Sequence, residues 1–423
     1  MNISPSSGTI MLNQRSGKLN VLGSVIIAML RTSLSWVHSE IDSMKSAGRF
    51  VPIKVLQSAQ GAWVKIDGKS FLNMCSNNYL GLANHPDVKK AAIEAIEEYG
   101  VGAGAVRSIA GTNEIHAKLE EKVAKFKHME SSLVYQGGLL ANSGTIPALV
   151  GKEDLTLSEE LNHASIIDGV RLSGSSRVVY KHLDMEDLEQ HLKDSGSYRR
   201  KLVISDGVFS MDGDIAPLDR MVELSEKYGA MCYVDDAHGE GVLGKNGRGI
   251  CDHFNVSDRI DIEMGTFSKA IGSMGGFVAG PEELIEYLKR RSRPFLFSSA
   301  LNPGDTAAVM KAIEIMERDD SLLKKLWDNS RRLKEGLKNL GFNIGNSKTP
   351  ITPVIIGDEN KTLQLSQTLY EKERVFASPI VYPTVPAGTA RIRLMPSAVH
   401  SRDDIDFAVN AFERAGKALK IIR

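Results

Sequence analysis

The chain has 423 residues and is electrically balanced, with 52 Lys and Arg residues against 52 Asp and Glu residues. This balance argues against a dedicated nucleic-acid-binding protein, which carries a basic excess. A chain of this length is expected to form two or three domains, with hydrophobic cores large enough to be stable without disulfide bonds. The three cysteines, Cys75, Cys232 and Cys251, form no C-x-x-C pair. We therefore expect neither a disulfide framework nor a structural zinc site, and a reducing, cytoplasmic compartment.

The N-terminal segment is polar up to Asn20 and continues into a ten-residue apolar run, Val21 to Leu30. A membrane-spanning helix needs about 20 apolar residues, so we expect no membrane insertion from this run. Three explanations stay open: a secretory signal that lacks a small-x-small cleavage site, a docking helix leading into residues 36–44, or an over-extended start whose true initiator is Met29.

Past residue 50, short apolar runs alternate with helical patterns, which is typical of an α/β protein. The pair Asp67-Gly68 predicts a hairpin turn between two short strands within Val64 to Cys75. Helical periodicity predicts helices over residues 86–99, 114–126, 218–227 and 281–291. Buried strands of a parallel sheet are predicted at residues 201–205, 231–234, 260–264 and 275–279.

After about residue 317 the chain changes to long charged helices, with strands predicted at 353–356 and 391–395 and a terminal helix from Asp403. This texture indicates a second, smaller α/β domain. The predicted organisation is an N-terminal extension over 1–78, a large domain over 79–315 and a small C-terminal domain over 316–423.

One glycine motif, Gly100-Val101-Gly102-Ala103-Gly104-Ala105, matches the dinucleotide fingerprint G-x-G-x-x-A. That fingerprint has meaning only between a strand and a helix, with the phosphate at the helix N-terminus. Here a predicted helix precedes the motif, so the context is wrong. We expect a flexible loop near a ligand and keep nicotinamide-dependent oxidoreduction only as a minor alternative.

Two segments directly after predicted strands carry reactive side chains. They are Asp235-Asp236-Ala237-His238-Gly239, after the strand at 231–234, and Thr266-Phe267-Ser268-Lys269, after the strand at 260–264. A parallel sheet presents functional groups at the carboxyl ends of its strands. A carboxylate, an imidazole and a lysine framed by hydroxyls suit pyridoxal phosphate. This cofactor needs a lysine for its imine, a carboxylate to keep its pyridine nitrogen protonated, and donors for its phosphate.

Longer motifs extend this pattern along the chain. In chain order they are Asn77-Asn78-Tyr79-Leu80-Gly81-Leu82, Asn162-His163-Ala164-Ser165, Asp206-Gly207-Val208-Phe209-Ser210-Met211-Asp212-Gly213, Val234-Asp235-Asp236-Ala237-His238-Gly239, Ser268-Lys269 and Pro383-Thr384-Val385-Pro386-Ala387-Gly388-Thr389-Ala390-Arg391-Ile392-Arg393. In these motifs the chain resembles the α-oxoamine synthase family of fold-type I pyridoxal-phosphate enzymes, over nearly everything from residue 34 onward. The resemblance implies a mainly parallel central sheet with helices on both faces and a smaller C-terminal α/β domain.

The resemblance also implies four catalytic residues. Lys269 would form the imine with the cofactor and then act as acid and base at the substrate Cα, with a pKa lowered by the cationic ring. Asp235 would pair with the pyridine N–H. His238 would hydrogen-bond the ring hydroxyl, and His163 would stack on the ring face.

The phosphate would be held, by the same resemblance, on the backbone amides of Gly138 and Leu139 at a helix N-terminus. The hydroxyl of Thr266 would add a further donor. Ser298 and Ser299 would reach the phosphate of the neighbouring subunit, so the resemblance implies an obligate homodimer with a shared active site.

The remaining positions implied by the resemblance concern the ring surroundings and the substrate. Asp206 and Ser210 would line the ring and its hydroxyl side. Arg393 matches the arginine that binds the substrate carboxylate, and Asn77 lies near the same group. A guanidinium clamps a carboxylate bidentately and so selects the Cα bond that breaks. The alternative for Arg393 is an ordinary cross-strand charge beside Arg391, which strand alternation puts on the same face.

The family reaction joins an amino acid to an acyl-CoA. The first expectation is a glycine C-acetyltransferase, which condenses glycine with acetyl-CoA to 2-amino-3-oxobutanoate, because residues 163–172 (HASIIDGVRL) and 291–297 (RSRPFLF) are most similar to that subgroup. The alternative is 8-amino-7-oxononanoate synthase, which joins alanine to pimeloyl-CoA with decarboxylation in biotin synthesis, because residues 236–238 and 384–393 are equally similar to it. A broad-specificity synthase is also open. An aminotransferase and an inactive partner subunit are weaker alternatives, the latter because such partners lack the lysine present at Lys269.

Overall fold

The computed structural model describes residues 34–46, 50 and 53–423, and the chain divides into two units, 1–55 and 56–423. The predictions for the apolar run at 21–30 and for Met29 as initiator lie outside the described residues. In the first unit the structure has a helix, α1, over Ser35–Ser46, and none of its described residues is buried.

The second unit alternates strands and helices, as the sequence pattern predicts. Its strands are β1 Trp63–Ile66, β2 Lys69–Asn73, β3 Ser131–Tyr135, β4 Leu155–Glu159, β5 Ser176–Tyr180, β6 Lys201–Asp206, β7 Met231–Asp235, β8 Ile262–Thr266, β9 Gly276–Gly280, β10 Thr352–Gly357, β11 Val375–Phe376, β12 Pro379–Ile380 and β13 Ala390–Leu394. Its α-helices are α2 Pro86–Tyr99, α3 Glu114–Lys127, α4 Gly138–Leu149, α5 Ala164–Ser173, α6 Met185–Lys193, α7 Leu218–Tyr228, α8 Ile250–Phe254, α9 Glu282–Arg291, α10 Arg293–Phe297, α11 Pro303–Arg318, α12 Ser321–Asn339, α13 Glu359–Glu371 and α14 Arg402–Ala418.

The largest sheet has seven strands in the order β3-β9-β8-β7-β6-β4-β5. Strands β5, β4, β6, β7 and β8 are parallel, which confirms the mainly parallel sheet. The predicted parallel strand at 275–279 is wrong in its direction, because β9 runs antiparallel to both β8 and β3. A parallel connection needs a long crossover, usually a helix. Residues 267–275 supply only a short loop, so the chain turns back beside β8.

The predicted hairpin at Asp67-Gly68 is confirmed, because β1 and β2 pair antiparallel and both turn residues have positive φ, 48° and 73°. A two-residue turn of this kind requires positive φ at both positions, which glycine adopts without steric cost. Strand β2 also pairs in parallel with β11. Leu72 and Met74 therefore join the apolar cluster that includes residues of α12 and α14. The domain boundaries at residues 79 and 316 stay a prediction.

The strand register brings chemical groups to one edge of the large sheet. Asp206 lies beside Asp235, and Asp235 lies beside Met264, each at or near the carboxyl end of its strand. The core strands are lined by buried apolar residues on both faces, so the polar side chains at this edge are held by a rigid support. No helix in the described part of the chain is both long and apolar enough to cross a membrane.

Candidate active site

A cavity of about 190 Å³ lies at the carboxyl edge of the parallel strands. Its lining comes from the ends of β6, β7 and β8, the first turns of α4 and α5, and the loops that follow the strands. The lining residues are Gly138, Leu139, His163, Ser165, Asp206, Ser210, Asp235, Ala237, His238, Met264, Thr266, Ser268 and Lys269. All the predicted cofactor-binding residues are among them except Ser298 and Ser299.

Asp235 is the last residue of β7, and its side chain is buried. One carboxylate oxygen, Oδ2, accepts a hydrogen bond of 2.7 Å from Nδ2 of Asn142. The other oxygen accepts one of 3.0 Å from the backbone N–H of Ala237. Both partners only donate, so the arrangement suits a carboxylate anion held in one orientation. An anion in this position can pair with a protonated ring nitrogen.

His163 is the residue that caps the N-terminus of α5, and its ring borders the cavity. Its backbone N–H donates to Oδ2 of Asp206 at 2.6 Å, and its Nδ1 lies 2.7 Å from the hydroxyl of Ser165. Burial lowers the pKa of His163, so the ring is neutral at neutral pH. Burial and the nearby charge of Asp235 raise the pKa of Asp206 well above its usual range. A neutral imidazole oriented through its Nδ1 is suited to stacking on a flat ring.

His238 is buried and also lines the cavity, and its Nδ1 lies 2.8 Å from the hydroxyl of Tyr79. Burial lowers the pKa of His238 well below its usual value, and the charges of Lys269 and Arg393 lower it further. The imidazole is therefore neutral. With Nδ1 occupied by Tyr79, its second ring nitrogen is free to meet a ligand oxygen.

Lys269 follows β8 and lines the same cavity as Asp235. Burial lowers the pKa of its amine, while the negative charges of Asp235 and Asp206 oppose that shift. A lowered pKa makes the free amine more accessible at neutral pH, which both a nucleophile and a general base require.

The phosphate-binding prediction fits the geometry at the start of α4. Gly138 and Leu139 are the first residues of this 12-residue helix, whose leading N–H groups have no intrahelical acceptor. A Cβ atom on Gly138 would lie 3.1 Å from Cε of Met264 and 3.3 Å from Cβ of Thr266, so glycine keeps this cradle open. The hydroxyls of Thr266 and Ser268 lie 2.9 Å apart beside it. The residues present therefore fit the phosphate, ring nitrogen and ring hydroxyl of pyridoxal phosphate.

Asn77 and Arg393 meet as the sequence predicts, with Nη2 of Arg393 donating to Oδ1 of Asn77 at 3.2 Å. Nε of Arg393 is buried and has no hydrogen-bond partner, which leaves it available to a carboxylate. Burial lowers the pKa of Arg393. Arg391 is different, because it forms an ion pair with Asp212 and donates to the backbone oxygen of Met211 at 3.2 Å. The two arginines therefore have separate roles, and Arg393 is the one suited to a ligand.

Ser298 and Ser299 lie outside the cavity of their own chain. The backbone oxygen of Ser299 accepts a hydrogen bond from the side chain of Gln136. The predicted contact of both serines with a partner's phosphate is therefore not made within one chain, and it stays a prediction.

The sequence did not reveal which residues form hydrogen bonds with the side chains that line the cavity. Asn142 bonds to Asp235, Tyr79 to His238 and Ser165 to His163. For Asn142 a signal was available, since it is an amide within the otherwise apolar start of α4. A buried polar side chain in such a helix is expected to have a specific partner.

The chain matches the family model described as aminotransferase class I and II over residues 69–412. A relative from Thermosipho melanesiensis named 8-amino-7-oxononanoate synthase is 57% identical over 383 residues, which cover 90% of this chain and 98% of that protein. Other relatives that are 50–57% identical over 90–92% of the chain carry the same name.

Solved structures share the fold of this chain. Serine palmitoyltransferase from Sphingomonas wittichii superposes with a TM-score of 0.88 at 33% identity, covering 93% of this chain and 99% of that one. A serine palmitoyltransferase variant from S. paucimobilis, solved with a bound PLP–myriocin aldimine, gives a TM-score of 0.87 at 31% identity, covering 92% and 99%.

These relatives correct the first functional expectation. Glycine C-acetyltransferase is wrong as the main prediction, because the relatives at 50–57% identity are named 8-amino-7-oxononanoate synthase. The physical reason is that residues 163–172 and 291–297 contribute only His163 and Ser165 to the cavity. Their similarity to that subgroup is therefore weak evidence about the acyl substrate. The motifs, the architecture and the relatives agree on one conclusion: the chain belongs to the aminotransferase class I and II family and, within it, to the α-oxoamine synthases, with the fold-type I architecture.

Proposed function

We propose that this chain is an 8-amino-7-oxononanoate synthase, which condenses alanine with pimeloyl-CoA and releases CoA and CO₂. The observation that carries the proposal is the 57% identity, over 90% of the chain, to a relative of that name. The cofactor is pyridoxal phosphate, which supplies an electron sink for the bonds at the amino-acid Cα.

The large-domain residues bind and orient that cofactor. The first amides of α4 and the hydroxyl of Thr266 hold its phosphate, and His163 covers the ring face. Asp235 keeps the ring nitrogen protonated, because a buried anion stabilises the adjacent N–H cation. His238 donates to the ring oxygen from the nitrogen that Tyr79 leaves free.

Arg393 and Asn77 bind the carboxylate of alanine. A bidentate clamp fixes the rotation about the Cα bonds and so selects the C–H bond that is broken first. Lys269 accepts the α-proton on Nζ, which is possible because burial lowers the pKa of its amine. The Cα electron pair then forms a bond to the thioester carbon, and the C–S bond breaks with the electrons leaving on CoA sulfur. Loss of the carboxyl carbon as CO₂ follows, and the Lys269 ammonium returns its proton to Cα.

Homodimer formation is part of the proposal. Leu172 and Phe297 are 67% and 70% exposed and line the same surface hollow, where a partner subunit would cover them. Ser298 and Ser299 follow Phe297 directly, where they are able to serve a partner's phosphate. We expect Phe297→Asp to sediment as a monomer that releases no CoA, and an active monomer would contradict the shared site. A cytoplasmic location is also proposed, since all three cysteines are free thiols.

The substrate assignment is tested by CoA release from a panel. Pimeloyl-, acetyl-, succinyl- and palmitoyl-CoA are each supplied with alanine, glycine or serine, in the presence of pyridoxal phosphate. We expect the highest kcat/KM for pimeloyl-CoA with alanine. A higher value for any other pair would overturn the assignment while leaving the family unchanged.

A further inference from the structure

We propose that Asn142 is a positioning residue that uses one side-chain amide to fix both the carboxylate of Asp235 and the tautomer of His163. These two residues meet different parts of the cofactor, the ring nitrogen and the ring face. The inference rests on the cofactor site of the proposed function and is independent of the acyl substrate.

The side chain of Asn142 is fully buried in α4 and has every hydrogen-bonding group occupied except one lone pair. Its Nδ2 donates to Oδ2 of Asp235 at 2.7 Å and to the hydroxyl of Ser165 at 2.9 Å. Its Oδ1 accepts from the hydroxyl of Tyr233 at 2.7 Å. All three partners are also buried. The amide therefore lies at the centre of a closed polar network in an apolar surrounding, where each bond is costly to lose.

The direction of each bond follows from the chemistry of the groups. The Asp235 carboxylate only accepts, so the Asn142 atom that faces it at 2.7 Å must be the NH₂ group. The opposite orientation would place the carbonyl oxygen of Asn142 against the carboxylate, which is repulsive. The amide assignment is thus fixed by its partner, and the second N–H of Asn142 is left to donate to Ser165.

The same reasoning continues to His163. The hydroxyl of Ser165 accepts from Asn142, so its own single proton is free to bond Nδ1 of His163 at 2.7 Å. The backbone N–H of Ser165 also approaches that nitrogen, at 3.2 Å. A ring nitrogen that faces two donors is an acceptor, so the proton of the neutral imidazole lies on Nε2. Asn142 therefore supports, through the hydroxyl of Ser165, the tautomer of a ring that it does not touch.

The test uses two substitutions at Asn142. Asn142→Leu removes every polar bond while keeping the branched shape of the side chain. Asn142→Asp keeps the size but has no N–H: its single O–H, present when the carboxyl is protonated, is needed against Asp235, so no donor is left for Ser165. We expect Asn142→Leu to weaken pyridoxal phosphate binding and lower kcat by about 10- to 100-fold, as is typical when supporting hydrogen bonds are lost. We expect Asn142→Asp to weaken cofactor binding and lower kcat by smaller factors. The KM for pimeloyl-CoA should stay within about threefold of the wild-type value in both variants.

Two readouts need no turnover. The first is the pH titration of the absorbance of bound cofactor, whose midpoint we expect to shift in both variants. The second is the ¹⁵N chemical shifts of labelled His163 in the protein without cofactor. They should report a protonated Nε2 in wild type and a mixture of tautomers in Asn142→Asp.

Asn329→Leu is the matched control, because Asn329 is also buried and donates two hydrogen bonds, to the backbone oxygens of Ser397 and His400, away from the cavity lining. We expect it to lower thermal stability without changing the cofactor titration. If Asn142→Leu does not fold, Asn142→Asp decides the matter. A wild-type titration and a wild-type His163 tautomer in Asn142→Asp would overturn the proposal, as would the same shifts in Asn329→Leu. A failed acyl-CoA panel would leave these readouts unaffected.

Discussion

Arg393 and Asn77 are 316 positions apart in the chain, yet Nη2 of Arg393 donates to Oδ1 of Asn77 at 3.2 Å. The register of β10 and β13 and the segment after β2 create this contact. Because Nε of Arg393 is buried without a partner, the pair is incomplete until a carboxylate arrives. An orphaned buried donor costs about 1–3 kcal/mol, which the amino-acid substrate would recover on binding.

The first prediction concerns this pair. Arg393→Ala should raise the KM for alanine by one to two orders of magnitude, because a charge-assisted bidentate bond is among the stronger hydrogen bonds. The KM for pimeloyl-CoA should change little, since the proposed partner of Arg393 is the carboxylate of alanine. Steady-state kinetics with each substrate varied in turn measure both values. Arg391→Ala is the comparison, and we expect it to reduce stability through the loss of its ion pair with Asp212. A larger effect on the acyl-CoA KM would refute the assignment.

The second prediction concerns Lys269. Lys269→Ala should abolish the absorbance of the lysine-bound cofactor and lower turnover by more than the roughly 10²–10⁴-fold typical of a general base alone. The reason is that, in the proposed mechanism, the same amine binds the cofactor and moves the α-proton. Absorbance spectra of the purified protein and CoA release measure the two effects. An unchanged spectrum would show that another lysine binds the cofactor.

The third prediction concerns Glu240, which is buried near Thr266. Burial raises the pKa of Glu240 to about 7 from 4.5, although the charge of Lys127 opposes this shift. Between pH 4.5 and about pH 7, the carboxyl of Glu240 is deprotonated in the unfolded chain and protonated in the folded chain. The contribution of this group to stability therefore falls as the pH rises through that range and is constant above it.

Glu240→Gln removes this dependence. As the pH rises from about 5 to about 8, we expect the melting temperature of wild type to decrease relative to that of the variant. Thermal melts across that range provide the comparison. If the two curves run parallel, Glu240 is not the group that holds the proton.

The fourth prediction concerns a buried charge cluster formed by Lys127, Asp236 and Glu263. Nζ of Lys127 lies 3.2 Å from Oδ2 of Asp236 and 2.5 Å from Oε1 of Glu263, and all three side chains are at most 1% exposed. Removing the ammonium leaves buried carboxylates without a counter-ion, so Lys127→Met should cost about 3–5 kcal/mol of the free energy of unfolding.

Urea denaturation measures this cost, and Lys125→Met is the control. Lys125 pairs with Glu121 on the exposed side of the same helix, where an ion pair contributes little. We expect the control to leave the free energy of unfolding nearly unchanged. Equal losses in the two variants would contradict a structural role for the buried ammonium.

The residues that line the candidate site were predictable because their chemistry is local. Asp235, His238 and Lys269 follow apolar runs at short spacing, and strand ends in a parallel sheet are where functional groups gather. The support behind them was not predictable to the same extent. Lys127 lies on an amphipathic helix that is otherwise charged on its outer face, and only the packed sheet shows that its ammonium is buried.

Some strands form because of their neighbours in the sheet, and the sequence pattern alone did not predict them. Strands β4 and β5 read LTLSE and SRVVY, and their polar residues hide the apolar run that marks a buried strand. The direction of β9 depends on the length of the loop before it and on its neighbours. The first prediction of the acyl substrate was wrong for a related reason. The motifs on which it rested, residues 163–172 and 291–297, lie mostly outside the cavity.

The central claim is a decarboxylating condensation of alanine with pimeloyl-CoA, and alanine labelled with ¹³C at its carboxyl carbon tests it most directly. With pyridoxal phosphate and pimeloyl-CoA present, the account predicts one labelled CO₂ for each CoA released and an unlabelled nine-carbon amino ketone. Retention of the label in the condensed product, or no CoA release from this pair, would contradict it.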